Sequence, residues 1–285
     1  MPRRFLKHLP QRLVTSLDEE VACYSRWWLA GRKHSKSTAE HDRQALLAAL
    51  RFRWRFDDSD LTEDVQHDLA GGAAPSEPGD LILPVALTLH RYGWPVPDLI
   101  DDADRILHRL AASDLLPSSF DRLVPKLRAT LEAPPKPLNR KPPQKPNVTQ
   151  YRKGDLLSVR CPDGFRAAYV HETAHSGGST CPVLSFFDFL SPQAPTVADL
   201  HEVPAKGERL NDGQDHSVRF GVFGLNYLPD PPSQITVIAA SCDTAPSEEH
   251  LEERIGLWTV ERLVNLGTTI GGLFGNQQPL AAPDP

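Results

Sequence analysis

The chain has 285 residues, 40% hydrophobic and 24% charged, so it has room for two ordinary domains and enough apolar surface for real cores. That balance excludes an extended disordered chain, and 27 prolines against one methionine favour rigid loops over long uninterrupted helices. The formal charge of −6 is uneven: residues 148–285 hold 9 Lys/Arg against 17 Asp/Glu, which disfavours general nucleic-acid binding by that half. An acidic module suits a basic protein partner, although plain solubility accounts for the same charge.

The first 133 residues have a helical pattern. Ser16 and Glu19 fit a capping box, predicting a helix through VACYSRWWLAG to Gly31. Ser37 and Glu40 repeat the signal before HDRQALLAALRFRWRF, whose Leu46, Leu47, Leu50 and Trp54 share one helical face. Further helices are predicted at 60–70, 80–92, 97–113 and 118–132. Trp27, Trp28 and Trp54, interleaved with Arg26, Arg51, Arg53 and Arg55, serve either as core anchors or as a nucleic-acid-stacking face. Core anchoring is the more common use, and binding to nucleic acid stays an alternative.

PPKPLNRKPPQKPN, residues 134–147, has six prolines and four basic residues and predicts an extended, semi-rigid linker. After it the pattern changes to strands. YRKGDLLSVRC and FRAAYVH are joined by Pro162, Asp163 and Gly164, a hairpin signal, and CPVLSFFDFL, HSVRFGVFGL and SQITVIAAS continue the series. A helix near 248–266 with Ser247 as its cap is expected, followed by an irregular tail. The fold expected is α+β: a helical domain over 1–133, the linker, and a β-rich domain over 148–285, forming an antiparallel SH3-like barrel or curled sheet.

Cys23, Cys161, Cys181 and Cys242 include no CxxC pair, and MPRRFLKHLPQRL lacks the apolar core of a secretory signal. A cytoplasmic protein with reduced thiols and no membrane span is the expectation. Cys242 and Asp243 with His250 form only a weak thiol-and-base pattern.

HETAHSGGSTC, residues 171–181, is the strongest catalytic candidate. His171, Glu172 and His175 fit H-E-x-x-H, in which two histidines one helical turn apart hold zinc and the glutamate activates its water. Gly178 and Cys181 fall where one class of zinc proteases resembling this motif has a bend and a third ligand. The Asp-Gly turn just upstream favours a strand instead, which would set the histidines about 13 Å apart. The methionine turn of those proteases cannot form either, because Met1 is the only methionine. A strand end and polar loop, with no metal or cofactor and no catalytic residue, is therefore expected. The alternative is a zinc-dependent hydrolase with His171, His175 and Cys181 as ligands and Glu172 as general base.

KGDLLSVRCPDGFRAAYVHE through CPVLSFFDF resembles the opening hairpin of small SH3-like barrels. It looks most like bacterial immunity proteins of polymorphic-toxin systems, through Gly154, Asp155, Val159, Asp163, Gly164, Phe165, Ala168 and Val170. The resemblance covers about forty residues and implies a protein that binds and blocks a cognate toxin without chemistry, an inhibitor rather than an enzyme. A basic toxin would be held by carboxylates, for which Asp188, Asp199 and Glu202 are the candidates.

Overall fold

The computed structural model describes residues 11–31, 39–54, 81–112, 120–143, 145–176, 178–252 and 259–275. The chain forms two compact units, Met1–Gln144 and Lys145–Pro285, which divide within the Pro-rich stretch.

The first unit contains helices α1 (Gln11–Gly31), α2 (Ala39–Trp54), α3 (Ile82–Arg91), α4 (Pro97–Ala112) and α5 (Val124–Glu132). The expected helix at 60–70, and Ser37, lie outside the described residues. In α3 every residue from Ile82 to Leu89 is buried, because ILPVALTL has no polar stripe to turn towards water. α4 starts at Pro97, which needs no amide partner there, and buries Leu99, Ala103, Ile106 and Leu107 at helical spacing.

The capping box expected at Ser16 does not form. α1 is already helical from Gln11, so Ser16 has no free helix-start amide to serve and its hydroxyl instead donates to Glu20 Oε1 at 3.4 Å. Glu20 is buried and accepts from Trp54 Nε1 at 2.7 Å and from Arg53 Nε at 3.2 Å. Both partners are 1% exposed, so this part of the Arg/Trp pattern is a buried polar lock between α1 and α2. Trp28 Nε1 donates to Asp42 and Trp94 Nε1 to Ser25, while Trp27 stays half exposed. Arg55 lies outside the described residues.

The segment after α5 is more than a spacer, because residues 133–143 belong to the helical unit and are fastened to it. His90 Nε2 donates to the Ala133 carbonyl at 2.9 Å and Arg26 Nη2 to the Pro143 carbonyl at 2.7 Å. Between these ends the backbone passes Gly93, where an added Cβ would stand 2.7 Å from the Lys136 carbonyl oxygen.

The second unit is built on β1 (Leu156–Cys161), β2 (Gly164–Ser176), β3 (Ser179–Phe186), β4 (Glu208–Arg209), β5 (Asp215–His216), β6 (Phe220–Phe223), β7 (Ile235–Ala239) and β8 (Thr259–Arg262). Six strands form one sheet in the order β7-β1-β2-β3-β6-β8, and β4 pairs with β5 separately. The expected barrel is corrected here. Closure requires β7 and β8 to pair, but they stand at opposite ends of an open sheet. The sheet is also mixed, since β8 runs parallel to β6 while the other neighbours are antiparallel.

The helix expected near 248–266 is corrected as well. Residues 259–262 are β8, whose Thr259 and Val260 pair with Phe220 and Gly221, and 253–258 lie outside the described residues. The helix is α6, Leu266–Phe274, in the region expected to be irregular beyond Gly271. Leu266, Ile270 and Phe274 bury its inner stripe, and Gly271 and Gly272 face open space, where a missing side chain loses no packing. Phe186 meets Phe220 and Phe274 edge-on at 6.2 and 6.0 Å, seating α6 on one sheet face. The other face holds Leu156, Ala167 and Tyr169 against Phe187, Phe189 and Leu200.

Glu20→Ala should destabilise the protein by about 3–5 kcal/mol, because it removes the carboxylate that the buried Arg53 guanidinium and Trp54 indole both donate to. Removal of the exposed Arg209–Asp215 contact should change stability by less than about 1 kcal/mol in the same urea titration. Equal costs for the two variants would refute a buried lock at Glu20.

Candidate functional site

The motif HETAH lies on β2, so its placement follows from the pleat. β2 pairs with β1 through a two-residue loop, Pro162 and Asp163, with Cys161 opposite Gly164. Gly164 is needed there: its φ is +134°, and an added Cβ would lie 2.4 Å from the Ser191 carbonyl oxygen. On its other side β2 pairs with β3, and the register shifts between Val170 and Glu172, so His171 is an extra residue in a bulge.

That bulge decides the zinc geometry. Residues four apart on a regular strand share a face, but one inserted residue reverses the alternation beyond it. Tyr169 stands opposite Ser185, and His171 reaches the same face, its Nε2 2.8 Å from Ser185 Oγ. Past the bulge, Ala174 opposite Cys181 stays on that face, whereas His175 opposite Thr180 stands on the other. His171 and His175 therefore point away from each other, and the helix on which the hydrolase alternative depends is a strand. Cys181 is buried, and burial pushes its thiol up to about 11. Glu172 is exposed. Among the described residues, no group of three or more His, Cys, Asp or Glu side chains is placed to hold a metal ion.

Around His171 the fold assembles a cluster that no sequence spacing announces. Ser185 is 1% exposed and hydrogen-bonded to the imidazole. Glu248 Oε1 lies 3.8 Å from the same Nε2, and its carboxylate pairs with Arg219 Nη2 at 3.2 Å. Burial first, then the charges of Arg219 and Lys153, pull the His171 pKa down to about 4. A neutral imidazole beside a serine hydroxyl has the separation of a base and nucleophile. The arrangement is not a relay, because the carboxylate and hydroxyl approach one ring nitrogen where a relay needs the acid on the other. Ser185 also has almost no exposed surface for a substrate to reach. Buried Ser185 satisfies the half-buried imidazole, and the Glu248 carboxylate beside it is held by Arg219.

The residues of the immunity-protein resemblance have structural roles here. Gly154, at φ +87°, donates its amide to Val170 O and accepts from Cys242 N, and a Cβ would stand 2.9 Å from Ser241 Cα. Asp155 Oδ2 accepts the Arg152 amide at 2.7 Å, closing the turn that starts β1. Asp163 pairs with Arg166, whose buried guanidinium lies 3.8 Å above the Phe274 ring. Cys242 donates to Thr244 Oγ1, and His250 is exposed and has no hydrogen bond or ion pair among the described residues, so the described residues do not assemble the weak thiol-and-base pattern.

The acidic candidates fall on neighbouring segments. Asp199 lies in a 3-10 turn, Ala198–Leu200, where its Oδ2 accepts both the Thr196 amide and hydroxyl at 2.7 Å. Those bonds hold its carboxyl below the ordinary range. Leu200 plugs the same turn into the core, and Glu202 follows at φ +64° with an exposed side chain. The chain then returns beside Asp188, whose amide donates to Pro204 O and whose carboxylate lies 3.3 Å from Lys206 Nζ. In the sequence only their charge marks these residues, although Thr196 three positions before Asp199 is the local signal of a capped turn.

No protein-family model matches the chain, and no curated protein or solved structure is significantly similar to it.

Two outcomes follow from this geometry. The folded-state pKa of His171 is below the unfolded value of 6.5, so its stabilising contribution is full above pH 6.5 and is lost as pH falls towards 4. His171→Gln should flatten the stability profile between those limits, by on the order of 1–2 kcal/mol after solvent screening. Urea titrations of both proteins across the window check this, and parallel profiles would refute it. In calorimetric zinc titrations, His175→Ala should bind no differently from the unsubstituted protein, and loss of a tight site would overturn the opposite-face assignment.

Proposed function

We propose that the protein acts by binding another protein, as an immunity- or inhibitor-type protein that neutralises a basic bacterial toxin by covering its surface. The observation that carries this reading is the Thr196–Glu202 turn. It presents Asp199 and Glu202 to solvent from a backbone that the Thr196 cap and the buried Leu200 hold in place, next to Asp188. Fixed carboxylates lose little conformational entropy on contact, and they steer an approaching cationic partner as well as discriminate against acidic ones. The negative balance of residues 148–285 extends the same field. No covalent step, metal or cofactor is required.

The resemblance in the first hairpin supports the same class of function, although its residues serve the local fold. An immunity role places the protein in the cytoplasm with its toxin. Among the described residues, no helix is long and apolar enough to cross a membrane.

Co-expression with the toxin-like product of a neighbouring gene, followed by purification through one tagged partner, tests the proposal. A complex should form, protect the cells and associate more slowly as salt is raised. Asp199→Asn with Glu202→Lys should weaken it by at least about tenfold while the fold persists, because the asparagine oxygen still accepts the Thr196 amide and the Glu202 side chain is exposed. Unimpaired protection by that double variant would refute the assignment of the surface, and absence of any complex would refute the function.

A further inference from the structure

The Pro-rich stretch beyond α5 has the form of a ligand. Ala133 leaves the helix at φ −71° and ψ 145°, which is polyproline-II geometry. The chain then has no helix or strand through 134–138, bends at Asn139 and Arg140, and continues without regular structure through Lys141, Pro142 and Pro143. Each proline fixes its own φ and holds the preceding residue extended, so Pro134-Pro135-Lys136-Pro137 is pre-set to a left-handed helix of three residues per turn.

Its attachment and its exposure both point the same way. The stretch is pinned at its ends by His90 and Arg26 and passes closely over Gly93, so its backbone path is fixed by the helical unit. Pro134 and Pro137, one polyproline turn apart, are both exposed, and so are Lys136, Arg140 and Lys141. Pro135 and Leu138 are half-buried, which gives the strand an inner and an outer side. Among the described residues, no hydrogen bond or ion pair engages residues 134 to 142, leaving their carbonyls to solvent or to a partner's donors.

We propose that residues 134–143 are a docking ligand for a second protein, through a domain with an aromatic-lined groove flanked by carboxylates. Rings of such a groove take Pro134 and Pro137 at their three-residue spacing, and indole or phenol donors reach the intervening carbonyls. The flanking carboxylates pair with Lys136, Arg140 and Lys141. Pinning the strand beforehand lowers the ordering cost of binding. A polyanion such as RNA would use the charges but has no use for the prolines. This site is separate from the acidic turn of the second unit and stands or falls independently of it.

The probe is an isolated SH3 domain with a groove tryptophan and an acidic specificity loop, isotope-labelled and titrated with the full-length chain. Saturable shifts at the groove residues are expected. Pro134→Ala with Pro137→Ala should weaken binding by at least about tenfold, and Lys136→Glu with Lys141→Glu by at least about threefold. All four positions are exposed, and thermal unfolding should show both variants folded. Absence of saturable groove shifts overturns the proposal. So does a charge variant that weakens binding while the proline variant binds like the unsubstituted chain, which is the signature of polyanion-type contact.

Discussion

The hydrogen-bond ladder on both sides of β2 is the interaction on which the second unit depends. At 13 residues β2 is long enough to pair with β1 along its first half and with β3 along most of its length. β7 joins through β1, and β6 and then β8 join through β3. Every side-chain direction in the sheet therefore inherits the register of this strand, and a single inserted residue at position 171 reverses it for everything beyond. The apparent zinc motif is a casualty of that reversal. Its letters are spaced for a helix, and its side chains are distributed by a bulged strand.

The helical unit is organised by a different constraint. Glu20, Arg53 and Trp54 bury a carboxylate, a guanidinium and an indole N–H together, so each offsets part of the desolvation cost of the others. A shared polar lock of this kind selects one relative placement of α1 and α2, because a slide along either helix would strand a charge. Leu17 and Val21 on α1 and Leu46, Leu47 and Leu50 on α2 are all buried and supply the non-directional part of the unit's stability. Arg166 has a related place in the second unit, holding α6 to the sheet through the face of Phe274.

The local features legible in the sequence were those encoded by neighbouring residues. Asp163-Gly164 announced the hairpin because a tight loop needs φ values that few residues adopt, and the leucines of α2 announced their buried face by spacing. The features that were not legible depend on partners distant in sequence. EEHLEERIGLWTVERLVNL looks helical, yet pairing with β6 claims Thr259–Arg262 for a strand. Ser16 carries a cap signal that a longer helix overrides. The bulge at His171 leaves no local mark, and Ser185 and Glu248 approach the ring from two separate segments, with Arg219 pairing to Glu248 from a third. Of the acidic turn, the charges could be read directly, but its anchoring by Leu200 required the core to be known.

The open form of the sheet leaves two strands, β7 and β8, with one edge each turned outwards, and such edges are templates for uncontrolled chain addition. The sequence blunts this hazard by economy and charge. β8 is only four residues long and ends in Glu261 and Arg262, and β7 has five residues and follows a turn rich in proline around Asp230. A growing stack on either side would have little backbone to copy before meeting a charge or a missing amide. The failure to close into a barrel thus leaves protection against strand addition to be secured residue by residue along two short rims.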